Sequence, residues 1–359
     1  MLLLPEVLRI GHFPLSNTPM NMSAIPQLSI VVPTYNQEER ILSRLVTAIE
    51  CLQMDNGSRV ECVIIDNNSK CPVKDLACVK AFLNRCSWAK VIQETRQGAT
   101  FSRMAGIKAT GAPAIVLFDD DNEPSPDYLT VARRCLKDWP SVAVWGPGRI
   151  SVEFLDPVPD WFRRSFGEAF NERRQEYPEY GCVQATWANF YPAGMGQVVR
   201  RATAERYVEA VENGVLTSTC RSGGSLTSAG DIQLVWEAVK MGYAAGLHPE
   251  LQMRHLIPAK RSNLTYVKRL AFGCASSYSP ALAESFPSER ANVSNGIPSN
   301  THILKRFLRI TLGVFLRFRV RYWTVELANF LGSVVGVLRV ARSEKRRWVF
   351  GLVKLLKLE

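Results

Sequence analysis

Apolar residues in this chain fall mostly in short continuous runs, each followed by a polar turn and then by a helical stripe. Leu28-Ser29-Ile30-Val31-Val32 predicts a strand stopped by Pro33-Thr34-Tyr35-Asn36, after which Ile41, Leu45, Ala48, Ile49 and Leu52 share one helical face. Val60 to Ile65 predicts a second strand ending at Asp66-Asn67-Asn68-Ser69. A helical stretch with Leu76, Val79 and Leu83 and a short strand at Lys90-Val91-Ile92 follow. The alternation continues with a helix from about Phe101 to Ala109, a strand over Ala114 to Phe118, a helix from Tyr128 to Leu136 and a strand over Val142 to Trp145. Strands covered on both faces and separated by helices predict an α/β fold with a parallel sheet and right-handed crossovers.

The strand over Ala114 to Phe118 runs directly into Asp119-Asp120-Asp121-Asn122. Adjacent carboxylates raise one another's pKa unless a cation or solvent compensates them, and Mg2+ or Mn2+ with a substrate phosphate suits an oxygen-only site. A solvated acidic turn, extended by Glu123-Pro124-Ser125-Pro126-Asp127, fits the same residues. Thr34, Asp66 and the acidic cluster all lie just beyond the carboxyl ends of strands, where open α/β sheets bind ligands, so they are expected to meet in one crevice. No GxGxxG follows the first strand, and GxxxxGK[ST], HExxH and GxSxG are absent, which removes dinucleotide, P-loop, zincin and serine-hydrolase chemistry.

Composition narrows the partners. The formal charge is +11, but residues 301–359 hold 13 Lys+Arg and 3 Asp+Glu, so 13 − 3 = +10 of it sits in the tail and the body is near neutral. A body without a basic face and a strongly apolar tail argue against nucleic acid. Nine cysteines without a CxxC pair suggest neither a zinc knuckle nor a closed disulfide framework, and reduced, mostly buried thiols are expected. The sequons at Asn67, Asn263 and Asn292 matter only in a secreted chain, and the opening Met1-Leu2-Leu3-Leu4, interrupted by Pro5 and Glu6, makes a poor signal peptide.

Val31-Val32-Pro33-Thr34-Tyr35-Asn36, Ile64-Ile65-Asp66-Asn67, Gln97-Gly98 with Arg103 and Ala105-Gly106-Ile107, and Phe118-Asp119-Asp120-Asp121 together resemble a family 2 glycosyltransferase of the GT-A fold, with its Rossmann-like mixed sheet. The resemblance covers about residues 27–270. It implies a nucleotide-sugar donor, Mn2+ or Mg2+, and inversion at the anomeric carbon. By that likeness Thr34 and Asp66 would contact the nucleoside, Pro33 and Tyr35 would help bind the donor, and Arg96 or Arg103 would lie near the nucleotide. Asp119 and Asp121 would span the DXD motif, with Asp121 the direct metal ligand and Asp120 near the donor sugar or ribose. Met104 departs from the family, which commonly has Asn there.

The second half is expected to serve the acceptor side. The segment Ala188 to Arg201 resembles the family's glycine-bearing loop and strand beside the donor sugar, which brings in Gly194 and Met195; a plain hairpin fits it equally. Asp231 opens a helix that faces Leu234, Val235, Ala238 and Val239 inward and stops at Gly242. An N-cap is the ordinary use of such an Asp. In the family the helix begins with an acidic pair whose Asp is the general base; Gly230 replaces the first member here, and Asp231 is expected to be the base. After a strand that includes His248, His255 is either a further metal ligand or a structural histidine, and Arg254, Lys260 and above all Arg261 are candidates to neutralise a diphosphate.

The organisation read from these features is a loose extension over residues 1–26, a catalytic domain over 27–270, a linker over 271–300 and basic amphipathic helices over 301–359. The longest tail stretch free of Lys and Arg, Tyr322 to Leu338, also holds Glu326 and Asn329, so helices lying on an anionic membrane surface fit better than a span, while a hairpin packed on the catalytic domain is the alternative. The expected function is sugar transfer to a glycan or lipid-linked acceptor, in polysaccharide or cell-envelope biosynthesis, at the inner face of the cell membrane on its cytoplasmic side. Two rivals are a sugar-phosphate nucleotidyltransferase, which lacks its phosphate loop, and a silent membrane-bound nucleotide-sugar-binding scaffold with Gly230 as a sign of decay.

Overall fold

A computed structural model describes residues 28–53, 59–218, 220–221, 224–317, 320–343 and 346–359. The extension expected over 1–26 lies outside them. In chain order the elements are β1 (Leu28–Thr34), α1 (Glu39–Glu50), β2 (Val60–Asp66), α2 (Ala77–Arg85), β3 (Ala89–Gln93), α3 (Ala99–Lys108), β4 (Ala114–Leu117), β5 (Asn122–Pro124), α4 (Tyr128–Asp138) and β6 (Val142–Phe154). Then come α5 (Asp160–Phe166), β7 (Arg173–Arg174), β8 (Glu179–Gly181), β9 (Gln197–Arg200), α6 (Arg201–Glu212), α7 (Gly230–Lys240), β10 (Ala244–Ile257), α8 (Leu264–Ser285), α9 (Arg290–Asn295), α10 (Asn300–Arg317), α11 (Val320–Val340) and α12 (Arg347–Leu355).

Strands pair in the order β3-β2-β1-β4-β9-β6-β10-β5, with β7 on β6 and β8 on β10. The first four are parallel, as expected from the helices between them. Beyond β4 the sheet is mixed: β9 is antiparallel to both β4 and β6, β6 and β10 are parallel, and β5 returns antiparallel on β10. One apolar layer beneath the sheet holds Ile30, Val32, Leu45, Ile64 and Trp145, and the other holds Val31, Ile65, Met104, Leu234 and Trp236. Met104, the family departure, is therefore a core residue of the second layer.

Two strands run past the limits read from the sequence, and a third, β10, carries a proline. β1 continues through Pro33 and Thr34, pairing them with Ile65 and Asp66. Alternation of the ladder turns the Pro33 nitrogen to the β4 side, where pairing with β4 has already ended at Val31, so its missing N–H costs nothing there. β6 passes through Gly146-Pro147-Gly148. A Cβ at Gly146 would lie 2.3 Å from Pro192 Cβ, and one at Gly148 only 2.8 Å from the His248 backbone, so these glycines permit close approach within the sheet and do not mark a turn. β10 likewise carries Pro249 through a register shift between His248 and Gln252.

Residues 271–300, read as a linker, contain the second half of α8 and all of α9. The tail helices share an apolar cluster in which Phe272 of α8 meets Ile303, Leu327, Leu331, Val335 and Val353. Cβ atoms at Gly332 and Gly336 would lie 2.5 Å from the Phe272 carbonyl oxygen and 3.0 Å from that of Ser276, so α11 rests directly on the backbone of α8. The hairpin alternative thus describes how α11 is packed. All nine cysteines are free thiols; four are buried, four exposed and Cys78 lies between, fewer buried than expected.

Candidate active site

Strand pairing assembles the site. β4 delivers Asp119, Asp120 and Asp121 at its carboxyl end, and the antiparallel pairing of β10 with β5 sets His255 opposite Asn122. A backbone bond from Leu256 N to the Asp121 carbonyl (2.9 Å) fixes that approach, and His255 Nε2 lies 3.5 Å from Asp121 Oδ2. Both side chains are buried. His255 Nδ1 lies 2.8 Å from the carbonyl oxygen of Phe170, a contact that orients the ring with Nε2 toward Asp121. Arg261, on the loop after β10, pairs directly with the same Asp121 oxygen.

The three aspartates separate by partner. Asp119 Oδ1 accepts from Arg103 Nη2 at 3.2 Å, Asp120 Oδ1 accepts from Gln37 Nε2 at 2.7 Å, and Asp121 faces Arg261 and His255. Burial and the neighbouring Asp121 charge push the Asp120 carboxyl up to about 6. Burial opposes ionisation of Asp121 too, but Arg261 and His255 beside it hold its carboxyl well below the usual range. Arg103 is buried, which disfavours its charge, yet Asp119 and Asp231 overcome that and raise its pKa.

Across the cleft, Asp231 stands in the first turn of α7 but does not cap it: the N-cap position is Ala229, without a side-chain bond. Its carboxylate accepts from Ser228 Oγ at 3.0 and 3.1 Å and from Gly194 N at 3.2 Å. Gly194 must be small, since a Cβ there would lie 2.5 Å from Arg103 Nη2 and 3.0 Å from Asp231 Cβ. The missing acid at 230 also has a structural cause. A Cβ on Gly230 would lie 2.6 Å from Tyr207 Oη, 3.2 Å from Cys220 Sγ and 3.3 Å from Thr100 Oγ1. Cys220 Sγ accepts the Ala229 and Gly230 N–H groups at 3.0 and 2.7 Å and so caps α7; burial, with the Asp231 charge second, pushes its thiol pKa up.

These groups line one cleft of about 330 Å³. Pro33, Thr34, Tyr35, Arg103, Asp119, Asp120, Asp121, Gly194, Met195, Asp231 and Arg261 all contribute to its wall, and His255 stands behind Asp121. Asp66 and Arg96 are not in the wall. The Asp66 carboxylate accepts from Ser69 N and Val73 N, each at 2.9 Å, and shapes the loop after β2. Arg96 pairs with Glu94 and covers the Phe101 ring at 4.8 Å. Asn67 is the residue of that loop that reaches the cleft; its side chain ties down Glu94 O, Arg96 O and Gly98 N. Ser228, Cys220, Asn67 and Tyr266 were missed in the sequence reading. For Ser228 the S-x-x-D spacing to Asp231 was a usable signal, and for the others none is evident.

Among the described residues no group of three or more His, Cys, Asp or Glu is gathered to hold a metal ion; Asp121 and His255, with Arg261 paired to the same Asp121 oxygen, are the nearest such groups in the cleft. Asp119 is turned toward Arg103.

Residues 29–192 match the family described as Glycosyl transferase family 2. The glycosyltransferase AglE of Haloferax volcanii is 20% identical over 337 residues, covering 88% of this chain and 98% of that protein. The solved mannosyltransferase PcManGT from Pyrobaculum calidifontis, in complex with GDP-Man and Mn2+, superposes with a TM-score of 0.55 at 18% identity, covering 88% of each chain; this likeness establishes the shared GT-A fold. S. aureus TarS 1-349 gives a TM-score of 0.43 at 16% identity over 89% of this chain and 91% of its own. The protein is a glycosyltransferase, with its mixed α/β fold followed by C-terminal helices.

Proposed function

We propose that this enzyme is an inverting, metal-dependent transferase that moves a sugar from a nucleoside diphosphate donor to a hydroxyl of a glycan or lipid-linked acceptor, in polysaccharide or cell-envelope assembly. The observation that carries this reading is the opposition within one cleft of a cation-binding wall, Asp121 with His255 and Arg261, and a carboxylate wall, Asp231 held by Ser228 and Gly194. A bound divalent ion supplies charge compensation on the leaving diphosphate. Arg261 and Arg103 are placed to neutralise the same group, and the pairing of Arg103 with Asp119 keeps its guanidinium at the cleft floor.

Transfer in this geometry is a single displacement. The acceptor oxygen forms its bond to the anomeric carbon while the bond from that carbon to the phosphate oxygen breaks, the electron pair leaving with the diphosphate. The hydroxyl proton goes to Asp231. Ser228 and Gly194 fix the direction in which that carboxylate presents its free lone pairs. Mn2+ suits a shell with one imidazole better than Mg2+, which prefers oxygen alone. GDP-mannose is the first donor to try, because the mannosyltransferase that shares the fold was solved with it and with Mn2+.

Two variants test the assignment. Asp231→Asn is expected to bind donor normally and to lower kcat by about 10² to 10⁴. Asp121→Asn is expected to lose metal-dependent donor binding, read by calorimetry with Mn2+. Full turnover by Asp231→Asn would end its role as the base.

A further inference from the structure

Among the described residues one helix, Tyr322–Val340, is long and apolar enough to cross a membrane by length and composition. Half of it is buried in the protein, and Gly332 and Gly336 press it onto α8. The unpartnered apolar surface lies elsewhere. On α10, Leu304, Leu308 and Leu312 recur at four-residue spacing and are 58%, 48% and 57% exposed, while Ile303 and Ile310 face the protein. Lys305 and Arg309 are also exposed, beside the leucines on the same helix, and neither forms an ion pair with a described residue; Arg306, by contrast, is engaged with Glu326. α12 repeats the arrangement: Trp348 and Leu355, seven residues apart, are exposed opposite buried Val349 and Val353, and Lys354 is exposed near them.

From this juxtaposition we infer that α10 and α12 form a docking surface for an anionic lipid bilayer, with the leucines and Trp348 entering the headgroup boundary and Lys305, Arg309 and Lys354 meeting lipid phosphates. Charge decides the occupant. Residues 301–359 carry +10 of the chain's +11, which an anionic surface complements and a second copy of the same basic tail repels. Interleaved lysine is depleted at protein–protein interfaces but favoured on interfacial helices, whose stems cover apolar surface while the charge stays in water. The tail also packs onto a buried aromatic cluster of the catalytic half. At the start of α11, the Tyr322 ring lies 5.5 Å from that of Phe166 of α5, tilted by 41°, and the buried neighbour Phe162 lies 6.5 Å from Phe170, whose carbonyl oxygen meets His255. An acceptor carried on a lipid would then be held near the enzyme without entering bulk water; that consequence rests on the transferase reading, whereas the surface itself does not.

Flotation of the full chain with phosphatidylcholine vesicles, with and without phosphatidylglycerol, tests the inference. Wild type is expected to float with the anionic vesicles and to be released by salt. Leu304→Ser with Leu308→Ser and Leu312→Ser is expected to weaken partition by on the order of tenfold per leucine. Lys305→Gln with Arg309→Gln is expected to lose the preference for anionic lipid. Circular dichroism melting confirms that each variant is folded, and turnover of a soluble donor with water as acceptor reads the catalytic assignment separately. Failure of wild type to float, or unchanged flotation of the folded triple variant, would overturn the inference. So would a leucine-dependent dimer by light scattering, because the face would then belong to a second copy.

Discussion

Gly230 gives the sharpest test of how the α7 end of the site is packed. An added methyl in Gly230→Ala would stand 2.6 Å from Tyr207 Oη, well inside a carbon–oxygen contact, and Tyr207 is fully buried. Cys220 Sγ at 3.2 Å and Thr100 Oγ1 at 3.3 Å close the other sides. Overpacking of this kind costs about 1–3 kcal/mol. Because the first turn of α7 also carries Asp231, the strain is expected to disturb its bonds to Ser228 and Gly194 and to lower sugar transfer as well as stability. Tyr207→Phe removes the nearest obstructing atom, so the double variant is expected to recover roughly 1–2 kcal/mol relative to the sum of the two single changes. Urea denaturation of the four proteins gives the coupling directly. Wild-type stability and turnover in Gly230→Ala, or a purely additive double variant, would refute the claim that Tyr207 and Cys220 occupy the space of the missing acid.

Two further outcomes follow from the same geometry. Without metal, Asp120 titrates near 6 in the folded protein against 3.8 as its ordinary value, so between those limits the native state binds the extra proton; stability of the metal-free protein should fall as pH rises through that window, and Asp120→Asn should flatten the fall in a pH series of urea melts. Gly332→Ala would place a Cβ 2.5 Å from the Phe272 carbonyl oxygen, a backbone atom that cannot turn aside. It should cost about 1–3 kcal/mol and make the tail more sensitive to limited proteolysis.

The first half of the fold was legible because β1, β2 and β4 are largely buried and read as mostly apolar runs separated by helical stripes. The second half was less so. Gly146-Pro147-Gly148 is a turn former by local rules, yet here the glycines serve close packing, so β6 ran further than the pattern indicated, while Pro249 sits at an irregularity within β10. Local sequence also carries no sign of β9 inserting antiparallel between β4 and β6, since that depends on contacts across the whole sheet. In the site, residues at the ends of β1 and β4 and at the start of α7 came together as their positions implied. The partners of the three aspartates were not legible. Arg103, Gln37 and Arg261 reach them from 16, 83 and 140 residues away, and only the assembled sheet selects which cation meets which carboxylate.

The most direct test of the central claim is nucleotide release from a panel of UDP-, GDP- and dTDP-sugars, measured with Mn2+ or Mg2+ and membrane extract as the acceptor source, for wild type and Asp121→Asn. The account predicts release that requires both the metal and Asp121, with one nucleotide preferred. Release that persists in chelator, or undiminished in Asp121→Asn, would contradict it.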